Sequence, residues 1–269
     1  MQYDPIKRSL GEVFNKTPFL RKLFYRLLDL LLLRAWHIHR ELNAWARTAP
    51  AQLRILDAGM GFGQYSWYMS RLFKQSHITA IDVKEEQVAD CNAFFASCGL
   101  QNRVQAEVGD LTIYNRPNHY HLILCVDVME HIGPDVQVLT NYASSLQPGG
   151  MLLISTPSDQ GGSDVHGEGE SSFIEEHVRD GYNRDEMIQK LKEAGFSRSE
   201  VLYSYGTPGK ISWRLSMKYP ILMLGASKLF FVLLPFYYLV VFPFCLLLNR
   251  LDATGTHPTG TGLIVRAWK

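Results

Sequence analysis

Apolar positions along this chain fall into three regimes. From residue 18 to 48, leucines and aromatics recur among Arg21, Lys22, Arg26, Arg34 and Arg40, which predicts an amphipathic helix. Such a helix has two placements. It packs on the protein's own core, or it lies on a membrane or over an active site. From residue 54 to 205, short apolar runs alternate with longer mixed stretches. The runs "RILDAG", "HITAIDV", "RVQAEVGD", "HLILCVD", "MLLISTP" and "EVLYSY" predict six strands. The stretches 64–74, 85–99, 135–146 and 183–196 predict helices. The second of these opens on Glu85 and Glu86 and stops at Gly99, as helix electrostatics and capping favour. Strands alternating with helices mean a parallel α/β sheet. The third regime is "LFFVLLPFYYLVVFPFCLLL" at 229–248, without a charge and long enough to cross a bilayer. Soon after it, "GLIVRAWK" at 262–269 reads as a further strand.

Charge sharpens this division. Residues 1–50 carry a net charge of +5, residues 51–207 a net of −10 and residues 208–269 a net of +6. An acidic centre between basic, apolar ends suits two ends facing an anionic surface. An acidic centre also counts against phosphate-backbone binding and hence against nucleic acid as a partner. Cys91, Cys98, Cys125 and Cys245 form no CxxC pair, which points to a reducing compartment without a disulfide framework. The opening "MQYDPIKRSL" lacks the apolar segment and cleavage site of a secretory signal. The polar Gly/Ser stretch at 158–172 is expected to be a loop.

The chemistry begins at "ILDAGMGFG". A strand ends at Asp57, and Gly59, Gly61 and Gly63 follow as G-x-G-x-G. Glycines let the backbone turn sharply and approach a ligand closely, and the next helix points free N–H groups at the same place. Asp82 ends the second strand, where a carboxylate can accept both hydroxyls of a ribose. Asp110 ends the third strand, and a Pro148-Gly149-Gly150 turn precedes the fifth. With these ordered motifs, residues 50–207 resemble the class I S-adenosylmethionine-dependent methyltransferases. The resemblance implies a Rossmann-like seven-stranded sheet with its last strand antiparallel. It implies that S-adenosylmethionine is the cofactor, with Asp57 and the three glycines under its methionine part. It further implies Asp82 on the ribose and Asp110 near the adenine, with Val83, Leu111 and Val126 in the same cofactor site. Met60 departs from the Cys found in many relatives.

The fourth strand ends in "CVDVMEHIGPD", where Asp127, Glu130 and His131 keep a D-x-x-E-H spacing. This is similar to the E-x-x-E-H stretch of the ubiquinone-pathway O-methyltransferases and of small-RNA 2′-O-methyltransferases. There the acids and histidine hold a divalent cation. The resemblance implies a metal set of Asp127, Glu130 and His131 completed by His177, with His166 as the other distal choice, and Mg, Mn or Zn as the ion. Asp127 is a shorter ligand than the usual Glu. Two other readings stand beside it. His131, with Glu130, is a catalytic pair in which the imidazole acts as general base without metal. Or Glu130 and His131 only cap the next helix and shape the pocket.

In the resembled fold, strands six and seven pair antiparallel, so both lie on one side of any membrane. A single crossing at 229–248 would separate them, and Pro235 and Pro243 argue against one uninterrupted helix there. The insert is therefore expected as a helical hairpin, 211–227 and 229–250, dipping into one leaflet. Trp213, Tyr219, Tyr237 and Tyr238 would sit near headgroups, and Lys210, Arg214, Lys218, Lys228 and Arg250 would meet anionic lipid. A buried cap and a dimer interface are the alternatives. The chain thus divides into an N-terminal helical segment (1–50), a methyltransferase core (51–207), an apolar membrane-associating insert (208–260) and a last strand (261–269). The expected function is S-adenosylmethionine-dependent O-methylation of a lipophilic small molecule, at the cytoplasmic side of a membrane, by a peripheral or monotopic protein. A nucleic-acid methyltransferase and a non-catalytic membrane-bound scaffold are the rivals from other classes.

Overall fold

A computed structural model describes residues 17–161, 178–227 and 230–269. Its centre is a seven-stranded sheet in the order β3-β2-β1-β4-β5-β7-β6. The strands are β1 (Leu53–Ala58), β2 (Ser76–Asp82), β3 (Val104–Val108), β4 (Tyr120–Val126), β5 (Leu146–Pro157), β6 (Arg198–Ser204) and β7 (Gly262–Trp268). Strands β1 to β5 pair in parallel, and β7 runs antiparallel between β5 and β6. The strands alternate their side chains between two cores. Leu56, Ile123, Cys125, Leu152 and Ile154 enter one, and Leu53, Ile55, Leu122, Leu124 and Leu153 enter the other. Both faces are covered, which explains why the strands read as apolar runs and not as polar/apolar alternation.

Helices α3 (Gln64–Leu72), α4 (Glu85–Ser97), α5 (Asp135–Ser145) and α6 (Arg184–Glu193) follow their strands as the pattern requires. The strand order reverses between β1 and β4, and ligands of open α/β sheets bind at such a reversal. The register places Ala58 beside both Ile81 and Cys125, so the loops after β1, β2 and β4 open at one level of one edge.

The N-terminal segment is two helices, not one: α1 (Pro18–Leu31) and α2 (Leu33–Ala46), separated by an extended Leu32. Thr17 caps the first by accepting the Leu20 N–H at 3.2 Å, with Pro18 in the first turn. Arg21, one of the basic residues of the amphipathic pattern, is buried. It donates to Tyr25 Oη, to the backbone carbonyls of Phe62 and Asp90, and toward Cys91 Sγ. The segment therefore lies over the strand edge, while Phe19, Leu23, Leu27 and Leu30 on its outer side stay exposed.

Between β6 and β7 the chain forms α7 (Thr207–Trp213), a π-helical turn (Arg214–Lys218), α8 (Tyr219–Ala226) and α9 (Phe230–Thr254). The two expected arms, 211–227 and 229–250, correspond to α7–α8 and to α9, but the expectation drawn from the prolines, against one uninterrupted helix, is overturned. Pro235 and Pro243 both lie inside one 25-residue helix. Each deletes one bond of the ladder, and the turns on either side carry the helix through. Lys228 lies outside the described residues. The carboxyl end of α9 is tied down by Asp252, the single acidic residue after 207. This carboxylate accepts from His37 Nε2 of α2 at 2.8 Å, from the Tyr205 N–H at 3.1 Å and from the Gly209 N–H at 2.9 Å. The body of α9 is bare by contrast: Val232, Phe236, Leu239, Val240, Phe244 and Leu247 are all exposed.

Candidate functional site

The loop after β1 is built around left-handed backbone. Gly59, Gly61 and Gly63 have φ of 76°, 51° and 76°. The N–H groups of Gly59 and Met60 both donate to the Ile81 carbonyl of β2, which folds the loop back across the strand ends. A Cβ at Gly59 would stand 2.3 Å from Val128 Cγ2, so the loop approaches the chain after β4 as closely as a glycine allows. Asp57 beneath the loop is buried and accepts from Ser66 Oγ at 2.6 Å. Burial pushes its carboxyl up to about 6 in spite of that bond.

Asp82 stands beside this loop at the end of β2. Its Oδ2 accepts the Gly61 N–H at 2.9 Å and its Oδ1 accepts the Lys84 N–H at 3.0 Å. A carboxylate has about four lone-pair sites, so two remain for a ligand with two vicinal hydroxyls. Val83 next to it is exposed. Asp110 is exposed and accepts from the Thr112 N–H and Oγ1, both at 2.8 Å, while Leu111 is buried beneath. Val126 is half-buried at the end of β4. The register sets Asp82 beside Val108 and Ala58 beside Cys125, so Asp57, the glycines, Asp82, Val83, Asp110, Leu111 and Val126 share one edge.

Across the loop from Asp82, the chain after β4 carries the second group. Asp127 adopts φ of 51°, uncommon for a residue with a side chain. Its carboxylate pairs with the Arg34 guanidinium, brought in from α2. The pair holds the arginine firmly charged. The Arg34 N–H in turn donates to Tyr205 Oη at 3.0 Å, from the loop after β6. Glu130 is buried, accepts from Thr156 Oγ1 at 3.1 Å, and is driven above the usual carboxylate range by burial and then by Asp127. His131 ends the 3₁₀ turn Met129–His131 and is half-buried.

The D-x-x-E-H residues thus come together, but not as a metal set. Asp127 already has a guanidinium as counter-charge, and Glu130 is turned to Thr156 Oγ1 in the buried interior. As placed, the described members do not fit a divalent cation. Among the described residues, no group of three or more His, Cys, Asp or Glu is arranged for one. His166 and His177 lie outside the described residues. Sequence reasoning missed Arg34 and Tyr205, which the structure brings beside Asp127. Arg34 is hidden among five basic positions of an amphipathic pattern, and Tyr205 reads as an ordinary aromatic at an element end.

Comparison with known proteins agrees with this geometry. Residues 55–150 match the family model described as a methyltransferase domain. A "Ubiquinone biosynthesis O-methyltransferase" of Xanthomonas campestris pv. campestris (strain B100) is 36% identical over 113 residues, 41% of this chain and 46% of that protein. The chain thus spans under half the length of the curated relatives it matches first. "Phosphoethanolamine N-methyltransferase 1" of Zea mays is 30% identical over 149 residues, covering 55% of this chain and 28% of that protein. Among solved structures, phosphoethanolamine N-methyltransferase 2 of Haemonchus contortus, in complex with phosphomonomethylethanolamine and S-adenosylhomocysteine, superimposes with a TM-score of 0.60 at 18% identity. It covers 98% of this chain and 60% of that one. The [4+2]-cyclase SpnF superimposes with a TM-score of 0.58 at 18% identity over 88% of this chain and 82% of its own. At such identities these likenesses establish the fold and leave the chemistry to the site.

Proposed function

We propose that this chain, a class I S-adenosylmethionine-dependent methyltransferase by its sheet order and glycine loop, methylates a hydroxyl oxygen of a lipophilic small molecule at a membrane surface. The observation that carries the cofactor reading is the Gly61–Asp82 bond at the strand-order reversal, which orients a carboxylate with two open acceptor sites beside a loop of left-handed glycines. In this reading Gly59, Gly61 and Gly63 lie under the methionine part, with Asp57 bracing them through Ser66. Asp82 takes the ribose hydroxyls. Val83, Asp110, Leu111 and Val126 frame the adenine. S-adenosylmethionine supplies an electrophilic methyl on a sulfonium. The chain's own contribution is to hold the acceptor in line with it and to keep water away.

On the acceptor side, His131 takes the hydroxyl proton as general base, and Glu130, buried and toward neutral, shapes the pocket beside it. This is preferred to a Mg, Mn or Zn ion on Asp127, Glu130, His131 and His177, because Arg34 occupies Asp127. The lipophilic acceptor is supported by α9. Only 11% of its membrane-length apolar window, within Val232–Thr254, is buried, which a core helix would not tolerate. Residues 208–260 accordingly form the membrane-associating insert on an otherwise closed core of 51–207 and 261–269. The helices of 1–50 cover the site. The protein sits at the cytoplasmic side of a membrane, on anionic lipid.

The test is transfer of label from methyl-labelled cofactor to native lipid extracts, with products identified by mass spectrometry. An O-methylated lipophilic product is expected. A water-soluble amine as the labelled species would instead support the N-methyltransferase likeness. His131→Ala is expected to reduce turnover at least about 100-fold with cofactor affinity nearly unchanged. Chelator is expected to leave the wild type active, and inactivation restored by a divalent cation would reinstate the metal set.

A further inference from the structure

Tyr65 carries a hydroxyl that the fold buries and that has no hydrogen-bond partner among the described residues. The residue is 8% exposed. Buried hydroxyls are costly to leave unpaired and native structures keep few of them. Its position is also particular. Tyr65 is the second residue of α3, two positions after Gly63, so it is rooted at the cofactor loop. Its electrostatic neighbours are Arg34, Asp127, Tyr205 and Asp29.

Those neighbours have capacity to spare. Arg34 offers five N–H donors in a planar fork. Among the described residues, Asp127 is the one partner its guanidinium has. Tyr205 Oη accepts the Arg34 backbone N–H and keeps its own O–H to give. Burial raises both phenols, Tyr205 to about 12, so both stay protonated donors at neutral pH. Donors from three separate elements therefore stand in one electrostatic neighbourhood beside the chain after β4, and among the described residues only Asp127 accepts from any of them, through the Arg34 guanidinium.

We propose that Arg34, Tyr65 and Tyr205 form an acceptor-positioning cradle that recognises an oxyanion borne on an apolar body. The inference rests on the methyltransferase reading above and adds the group that selects the acceptor. A phenolate or an enolate, formed as His131 takes the hydroxyl proton, presents lone pairs to all three donors, and a carboxylate, which needs no base, presents them directly. A protonated amine presents none, and its charge opposes Arg34. Asp127 fixes the guanidinium plane, and the left-handed backbone at Asp127 is what aims it.

The experiment uses the full chain in detergent micelles loaded with S-adenosylhomocysteine. Calorimetry compares a long-chain alkylcatechol, a chain-matched fatty acid and a chain-matched alkylamine. Either oxygen probe is expected to bind at least tenfold more tightly than the amine, and which of the two binds identifies the source of the oxyanion. Tyr65→Phe is expected to weaken that probe about five- to twentyfold, to leave S-adenosylhomocysteine affinity unchanged and to leave melting temperature equal or higher. A purely structural Tyr65 would not separate acceptor affinity from stability in this way. Tyr205→Phe is expected to act in the same direction. Equal affinity for amine and oxygen probes, wild-type acceptor affinity in Tyr65→Phe, or binding of none of the probes would overturn the cradle while the cofactor reading stands. Absence of S-adenosylhomocysteine binding in the wild type would overturn the methyltransferase reading and the cradle together.

Discussion

Asp82 illustrates how one side chain serves two masters in a site of this kind. Half of its acceptor capacity holds the Gly61 and Lys84 N–H groups, and the other half is open for the proposed cofactor. Asp82→Ala therefore removes the proposed ribose acceptor and loosens the glycine loop in one step. Cofactor binding should weaken by about 2–3 kcal/mol, the scale of lost charge-assisted bonds. Calorimetry with S-adenosylhomocysteine showing unchanged affinity would remove the ribose assignment. His39 shows a different residue-scale effect. It stacks on Tyr68 with ring centroids 3.6 Å apart, and its buried Nε2 has no hydrogen bond among the described residues, although Asp29 lies 3.4 Å away. Burial pushes its pKa from 6.5 down to about 4. Between those values the unfolded chain binds more protons than the folded one, so this group's contribution to stability falls as pH drops from 6.5 toward 4. Asp57 has the opposite sign. Its carboxyl is raised from 3.8 to about 6, so its contribution grows as pH falls through 6 toward 3.8. His39→Gln removes the first effect and keeps the second. The variant should lose less melting temperature than the wild type between pH 7 and pH 5, and parallel melting curves at the two pH values would refute the assignment.

The element that departs most from regular geometry is the insert, and a single proline explains the departure. Pro220 has no N–H to give to the Ser216 carbonyl four residues back, and its ring crowds that carbonyl. The chain widens into a π-helical turn over Arg214–Lys218, with the Tyr219 N–H reaching back to Arg214. The carbonyls released by this widening are met from α9: Tyr237 Oη donates to Leu215 at 2.7 Å and Tyr238 Oη to Ser216 at 2.8 Å. Sequence reasoning placed these two tyrosines at lipid headgroups. Their hydroxyls close the seam between the π turn and α9. Tyr237→Phe and Tyr238→Phe should each cost about 1 kcal/mol, read as a shift in denaturation midpoint, because each leaves one carbonyl with a weaker partner. A midpoint unchanged in the double variant would mean that water replaces the hydroxyls without loss. The seam continues with Ser212 Oγ donating to Asn249 Oδ1 at 2.6 Å, so small polar residues let α7 and α9 approach closely.

At the scale of the whole molecule, the insert and the N-terminal helices are one assembly. His37 and Arg40 of α2 bond to Asp252 and to the Ala253 carbonyl at the end of α9, and Arg34 of the same α2 reaches the site. The exposed apolar side chains of α9 and the outer side of α1 remain outside this closed network. The insert thus carries an exposed apolar face while its foot is fixed to the edge that holds the candidate site. The wild type should float with anionic vesicles, and salt should weaken the attachment. Replacement of 211–250 by a Gly/Ser linker retains Asp252 and leaves β7 free to pair with β5 and β6. That variant should stay in the soluble fraction and still bind cofactor. Failure of the wild type to float with any lipid would reject the anchor, and a deletion variant that merely changes from dimer to monomer on a sizing column would identify an interface between copies.

The order of strands and helices, the Gly-rich turn and the acids at strand ends follow from the sequence itself. They depend on periodicity and on local backbone needs, and a reader of residues 54–110 meets them in order. The membrane-length run was equally plain, because an uncharged stretch is a property of composition. What only the tertiary structure decided are partnerships between distant segments. Arg34 and Asp127 are 93 positions apart, and His37 and Asp252 are 215 apart. No spacing rule joins them, since helix and strand periods act over a few turns, while β6 and β7 return the chain to the sheet and carry the insert back over the N-terminal helices. The same long-range packing turned a metal-like spacing into an arginine–aspartate pair. It also held two prolines inside one helix where local propensity alone argued for a break.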